Sequence, residues 1–153
     1  MKRMDEDELG RRLVPYLARA GLDPAAGPPP GPVAALLRGR VATLTEMADA
    51  AHYFYATIHP SPEQLAEHLD DANRPALREL QAEFATLEWT REALGAALKA
   101  AAARHGLKPP QVMMAMRVLV AGTRETPAID AVLALLSRAT VGERLAAGLA
   151  VPV

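Results

Sequence analysis

The chain has 153 residues, half of them hydrophobic, with 4% aromatic residues, no cysteine and a formal net charge of −1. Such a length buries roughly 70% of the unfolded surface, and the lack of cysteine excludes a disulfide framework and a thiolate metal site. No apolar run approaches the ~18 residues of a membrane span, and Lys2 and Arg3 lead into acidic residues where a signal peptide would be apolar, so the expected setting is the cytoplasm.

Alanine and leucine dominate and β-branched alternation is scarce, a composition that implies an all-α fold. Charge is unevenly spread. Residues 1–60 carry seven cations and seven carboxylates, residues 61–90 two against seven, and residues 91–153 eight against four. That modest basic end fits a local nucleic-acid contact or an ordinary solvated helical surface. It is too weak for a binder driven mainly by phosphate neutralisation.

In chain order, Asp5 to Glu8 place carboxylates at a helix start, where the helix dipole favours them. Leu9, Leu13, Tyr16 and Leu17 follow at helical spacing. Pro15 is expected to kink or split this helix, which ends at Gly21. Residues 22–32, rich in Pro and Gly, read as a stiff extended linker. An apolar helix over 33–40 ends beside Gly39, placing Arg38 and Arg40 at a helix-to-turn boundary. Thr43 or Thr45 caps the next helix, whose buried stripe is Leu44, Met47, Ala48, Ala51, Phe54 and Tyr55.

His59-Pro-Ser-Pro62 breaks the chain, and a subdomain boundary is placed there, giving units of 1–60 and 61–153. Ser61 with Pro62 begins a short helix, residues 70–73 form a turn, and residues 76–87 form an amphipathic helix. The acidic outer face of that helix would repel phosphate. Thr90 caps a helix running to His105, and Trp89 reads as a core residue more than as a base-stacking platform. Residues 111–122 are apolar apart from Arg117. A guanidinium brings five N–H donors and no acceptor, so inside an apolar helix it needs an acceptor such as a carboxylate, a carbonyl or a ligand oxygen. On spacing alone, a half-buried arginine salt-bridged to Glu125 or Asp130 is favoured over a ligand site. Gly122 stops this helix and Thr126-Pro127 opens another, over 128–136. A last short helix covers 141–149, and residues 151–153 read as a frayed end.

Two stretches resemble bacterial glutamyl-tRNA synthetases. One is Leu36 to Ala48, matching a Leu-x-x-x-Arg-x-x-Thr-Leu-x-Glu pattern through Arg40, Thr43, Leu44 and Glu46. The other is Lys108-Pro-Pro-Gln-Val followed by Met116-Arg117, Gly122 and Thr126-Pro127, and the Trp89-Thr90 pair also matches. Ala115 and Ala121 depart from the family's proline and threonine. The resemblance covers residues 9–149 and implies the C-terminal anticodon-binding region of such a synthetase, an all-α cage of about nine helices. It implies that Arg40 inspects the third anticodon base. An arginine fork can meet O2 and N3 of a splayed cytosine, whereas guanine offers donors on that edge. Arg117, with Arg124, Thr126 and Ile129, would then contact the first base and its neighbours, and Arg104 and Lys108 the phosphates. The implied partners are a glutamate tRNA and the catalytic domain of the same synthetase, without DNA or membrane, and nothing calls for more than a monomer.

Catalytic signatures are missing. There is no phosphate-binding Gly-x-x-x-x-Gly-Lys loop, no dinucleotide fingerprint and neither nucleotide-binding signature of class I synthetases. His52, His59, His68 and His105 lack metal-ligand spacing. The chain alone is therefore expected to be non-catalytic and to hold no cofactor, with ATP and magnesium belonging to a catalytic domain. A helical protein-interaction module that ignores RNA is the alternative. A helix-turn-helix DNA regulator fits less well, because each helix carries only one or two cations.

Overall fold

The computed structural model describes residues 4–150, so the expectation for 151–153 lies outside the described residues. Among these there are ten α-helices and one 3₁₀ turn and no strand, an all-α fold as the composition implies. Two compact units divide the chain, one running to Thr57 and the other beginning at Ile58, whereas the sequence places the boundary between residues 60 and 61.

In the first unit, α1 (Glu6–Arg19) begins at Asp5, whose side chain accepts the Asp7 N–H. Leu9, Leu13 and Leu17 are fully buried along one face. The helix does not split at Pro15. That proline and Arg11, whose carbonyl loses its helical partner, both lie on the exposed side, where water can satisfy the orphan group. Gly21 takes a left-handed φ of 79°, and the Leu22 N–H returns to the Leu17 carbonyl at 2.9 Å, closing the helix end.

The expected linker is instead packed structure. A 3₁₀ turn, Pro24–Ala26, is followed by α2 (Pro30–Leu37), which starts inside the proline run because proline's fixed φ suits a first helical turn. Two glycines make this possible. A Cβ on Gly10 of α1 would lie 2.5 Å from the Gly31 backbone nitrogen, so the two helices cross at backbone contact. A Cβ on Gly27 would collide with the Phe54 carbonyl, and the Tyr55 hydroxyl donates to the Pro28 carbonyl at 2.9 Å. The segment is fastened at both ends.

Thr43 caps α3 (Leu44–Ala50), accepting the Glu46 N–H at 3.1 Å. The helix expected to continue through Tyr55 is interrupted at Ala51, and α4 (His52–Tyr55) follows. Tyr53, Phe54 and Tyr55 are all buried. Three consecutive residues span about 200° of a helix, more than one straight helix would bury against a single neighbouring layer.

The second unit is built on α8 (Pro109–Ala121). Around it pack α5 (Pro62–His68), α6 (Arg74–Glu83), α7 (Arg91–Arg104), α9 (Ile129–Leu135) and α10 (Arg138–Leu149). Val112, Ala115, Met116, Val118, Leu119, Val120 and Ala121 are buried. With alanine where the related pattern has proline, nothing removes a backbone donor at 115, and the helix runs unbroken to Gly122. Ser61 and Thr90 cap α5 and α7 as expected, and Asp70 and Asn73 close the turn before α6.

Trp89 is structural. Its indole N–H donates to the Leu133 and Leu136 carbonyls at 3.0 and 2.8 Å, its ring meets Phe84 edge-on, and the Arg138 guanidinium lies 5.0 Å from the ring centroid.

Candidate nucleic-acid interface

Half of the eight cations of the basic end serve the fold, as do Arg74 and Arg78 before it. The last carbonyls of a helix lack intrahelical partners and carry the negative end of its dipole, and arginines meet several of them here. Arg138 donates to the Phe84 carbonyl at the end of α6. Arg144 donates to the Val120 carbonyl at 2.6 Å at the end of α8, and Arg74 and Arg78 donate to the Leu149 carbonyl at the end of α10. Arg91 pairs with Asp130 at 3.2 Å.

Arg104, expected to contact phosphate, is similarly engaged. Its Nε lies 2.6 Å from Glu79 and its Nη2 3.8 Å from Glu83. His105 shares the Glu79 carboxylate at 2.6 Å. The hydrogen bond from His105, aided by Arg104, holds the Glu79 carboxyl below its ordinary range. This cluster occupies the acidic face of α6, the surface least suited to a phosphate. Among the described residues Lys99, Lys108 and Arg124 are exposed cations without an ion-pair partner.

Arg117 differs from all of these. It is half-buried, and among the described residues no carboxylate lies within ion-pair distance, so neither Glu125 nor Asp130 neutralises it. Asp130 is engaged by Arg91. One Arg117 Nη donates to the Met114 thioether at 3.1 Å, a weak acceptor, and its Nε is buried with no hydrogen-bond partner. A fold rarely leaves a guanidinium donor in that condition.

Roughly 7.5 Å further along the helix axis, Gly122 takes φ 72° and turns the chain out of α8. Arg124 is exposed in the loop that follows. Thr126 and Ile129 are not, with 4% and 3% exposure. The Thr126 hydroxyl donates to the Pro127 carbonyl at 2.8 Å, and it does not cap α9, whose N-cap is Ala128 without a side-chain bond. As the loop stands, both residues support it and present no free group to a base. Lys108 is exposed immediately before α8.

In the first unit, Arg40 is exposed in the turn after α2, its N–H bonded to the Leu37 carbonyl at 2.9 Å. Arg38, its neighbour, is tied to the Met4 carbonyl at 2.8 Å. Burial pushes the Tyr53 hydroxyl up to about 12, and the Arg40 guanidinium pulls the other way. Among the cations not consumed by the fold are thus Arg40 in one unit and Lys99, Lys108, Arg117 and Arg124 in the other.

The chain belongs to the anticodon binding domain family, whose model matches residues 8–149. More particularly, it is similar to bacterial glutamate–tRNA ligases. It is 46% identical to that of Thiobacillus denitrificans over 149 residues, covering 97% of this chain and 32% of the relative. It is 46% identical to that of Burkholderia multivorans over 153 residues, covering 98% and 33%. The chain therefore spans about a third of the length of the curated relatives it matches. Its fold is shared with the crystal structure of a glutamate tRNA ligase from Elizabethkingia meningosepticum in complex with its amino acid. That match has a TM-score of 0.83 and 14% identity, over 97% of this chain and 30% of the other. A glutamate-tRNA synthetase structure from Elizabethkingia anophelis matches with a TM-score of 0.79.

Proposed function

We propose that this domain recognises the anticodon of a glutamate tRNA as part of a cytoplasmic glutamate–tRNA ligase. Family membership sets the class of ligand, and the observation that carries the reading to residues is Arg117. Its donors are held in a largely apolar helix and, among the described residues, meet no carboxylate, while Arg124 stands exposed in the loop beyond the helix end. Splayed anticodon bases offer the acceptors these guanidiniums need. In the other unit, Arg40 reads the third anticodon base, and Lys108 contributes a phosphate contact.

Binding made here aligns the tRNA for chemistry performed elsewhere in the ligase. The chain alone catalyses no aminoacylation and uses no cofactor, ATP and magnesium being requirements of the catalytic domain. The test is binding of the 153-residue chain to an anticodon stem-loop of glutamate sequence, beside a DNA duplex of equal length, at fixed salt near physiological. Preference for the stem-loop, reduced by Arg117→Met, is expected. Equal binding to both, or binding to neither, contradicts the reading.

A further inference from the structure

The loop carrying Arg124 leaves α8 through Gly122, and its starting point is held by a residue from a distant part of the sequence. Gln64 lies in the first turn of α5. Its side-chain carbonyl accepts the Ser61 N–H at 3.0 Å while its own backbone N–H donates to the Ser61 hydroxyl at 3.1 Å, a reciprocal cap. Its amide nitrogen is then free to reach away from α5, and it donates to the Gly122 carbonyl at 2.8 Å, part-buried and 58 residues away in sequence. Ile58 lies against the same glycine: a Cβ on Gly122 would sit 3.6 Å from the Ile58 Cβ. Two residues earlier in α8, Arg144 holds the Val120 carbonyl. Beyond Gly122, the loop's local bonds are few: Glu125 N–H to the Thr123 hydroxyl, Thr126 N–H to the Arg124 carbonyl and the Thr126 hydroxyl to the Pro127 carbonyl.

We propose that Gln64 is a positioning residue for base reading: its amide fixes the Gly122 carbonyl and thereby the direction in which the Arg124 loop leaves α8. The inference rests on the anticodon reading of this unit and adds a residue that touches no base. Both halves of the side-chain amide are used, the oxygen for the helix cap and the nitrogen for the loop. Glutamate at this position separates them, since a carboxylate still accepts the Ser61 N–H and suits an N3 capping position, yet cannot donate to Gly122.

The experiment compares the wild-type chain with Gln64→Glu on three anticodon stem-loops: the glutamate sequence, one altered at the first anticodon base and one altered at the third. Amide exchange of Glu125 and Thr126 and the thermal midpoint are recorded alongside. Gln64→Glu is expected to reduce discrimination at the first base by roughly two- to tenfold, the range for losing one hydrogen bond. Third-base discrimination, which belongs to Arg40 in the other unit, stays as in wild type, and exchange at Glu125 and Thr126 rises. Unchanged first-base discrimination overturns the proposal, as does a parallel fall of both ratios with the thermal midpoint, which would mean general loosening. Unchanged exchange at Glu125 and Thr126 overturns it whatever the RNA does. A wild-type chain without any base discrimination overturns the functional reading itself.

Discussion

Replacing Arg117 by methionine separates the two roles an arginine can have inside a helix. In the fold its Nε is buried without a partner, and its one hydrogen bond goes to a thioether sulfur. An unsatisfied buried donor costs about 1–3 kcal/mol. Methionine keeps an unbranched apolar stem of similar reach, so most of the packing survives while the orphan donor is removed. Subtracting the weak sulfur contact, Arg117→Met is expected to stabilise the second unit by about 1 kcal/mol, or roughly 4–8 °C for a unit of this size. Trp89, the one tryptophan of the chain, lies in that unit and reports its melting by fluorescence. The same variant is expected to lose stem-loop affinity by roughly 1–3 kcal/mol, by analogy with bidentate contacts to DNA bases. A variant that melts lower than wild type while retaining RNA affinity would make Arg117 a structural residue and not a base reader.

Two glycine-to-alanine changes should move stability in opposite directions. Gly10→Ala puts a Cβ 2.5 Å from the Gly31 backbone and should destabilise the first unit by about 1–3 kcal/mol, whereas Gly142→Ala meets nothing within 4 Å on an exposed turn of α10 and should add about 0.5–1 kcal/mol. Chemical denaturation of each variant measures both, and equal signs would contradict the backbone-contact account of α1 and α2. Alkaline stability offers a further check. Burial raises Tyr53 and Tyr55 to about 12, above the unfolded value near 10. The native state therefore holds protons that the unfolded chain releases, so stability present below pH ~10 declines as pH rises towards 12. An ultraviolet titration in which both phenols ionise near pH 10 with the fold intact would contradict it.

What could be read from sequence was local. Thr43, Ser61 and Thr90 announce helix starts because a cap is decided within four residues, and Gly122 announces a stop because α8 ends in a left-handed turn. The Pro-rich stretch misleads because composition describes chain stiffness, while its packing depends on Gly10 and Gly27 meeting backbone from elsewhere in the fold. Arg104 has the same difficulty: its partners Glu79 and Glu83 sit on another helix, and nothing in its own neighbourhood reveals them. Thr126 carries the right chemistry for a base contact, but the path of the loop turns its hydroxyl inward. Gln64 announces itself only as a cap, through the Ser-x-x-Gln spacing, and its second bond to Gly122 has no sequence signal. Arg117 could be picked out as an anomaly, although only the structure shows that Asp130 is taken by Arg91.

Whether this domain reads an anticodon through guanidiniums the fold does not use is decided at Arg40. The measurement is the affinity of the chain for a tRNA bearing the glutamate anticodon, beside the same tRNA with guanine in place of cytosine at the third anticodon position, at one fixed salt concentration. Tighter binding to the cytosine form is expected, and loss of that preference in Arg40→Gln. Equal affinity for the two tRNAs, or a preference that survives Arg40→Gln, would contradict that reading.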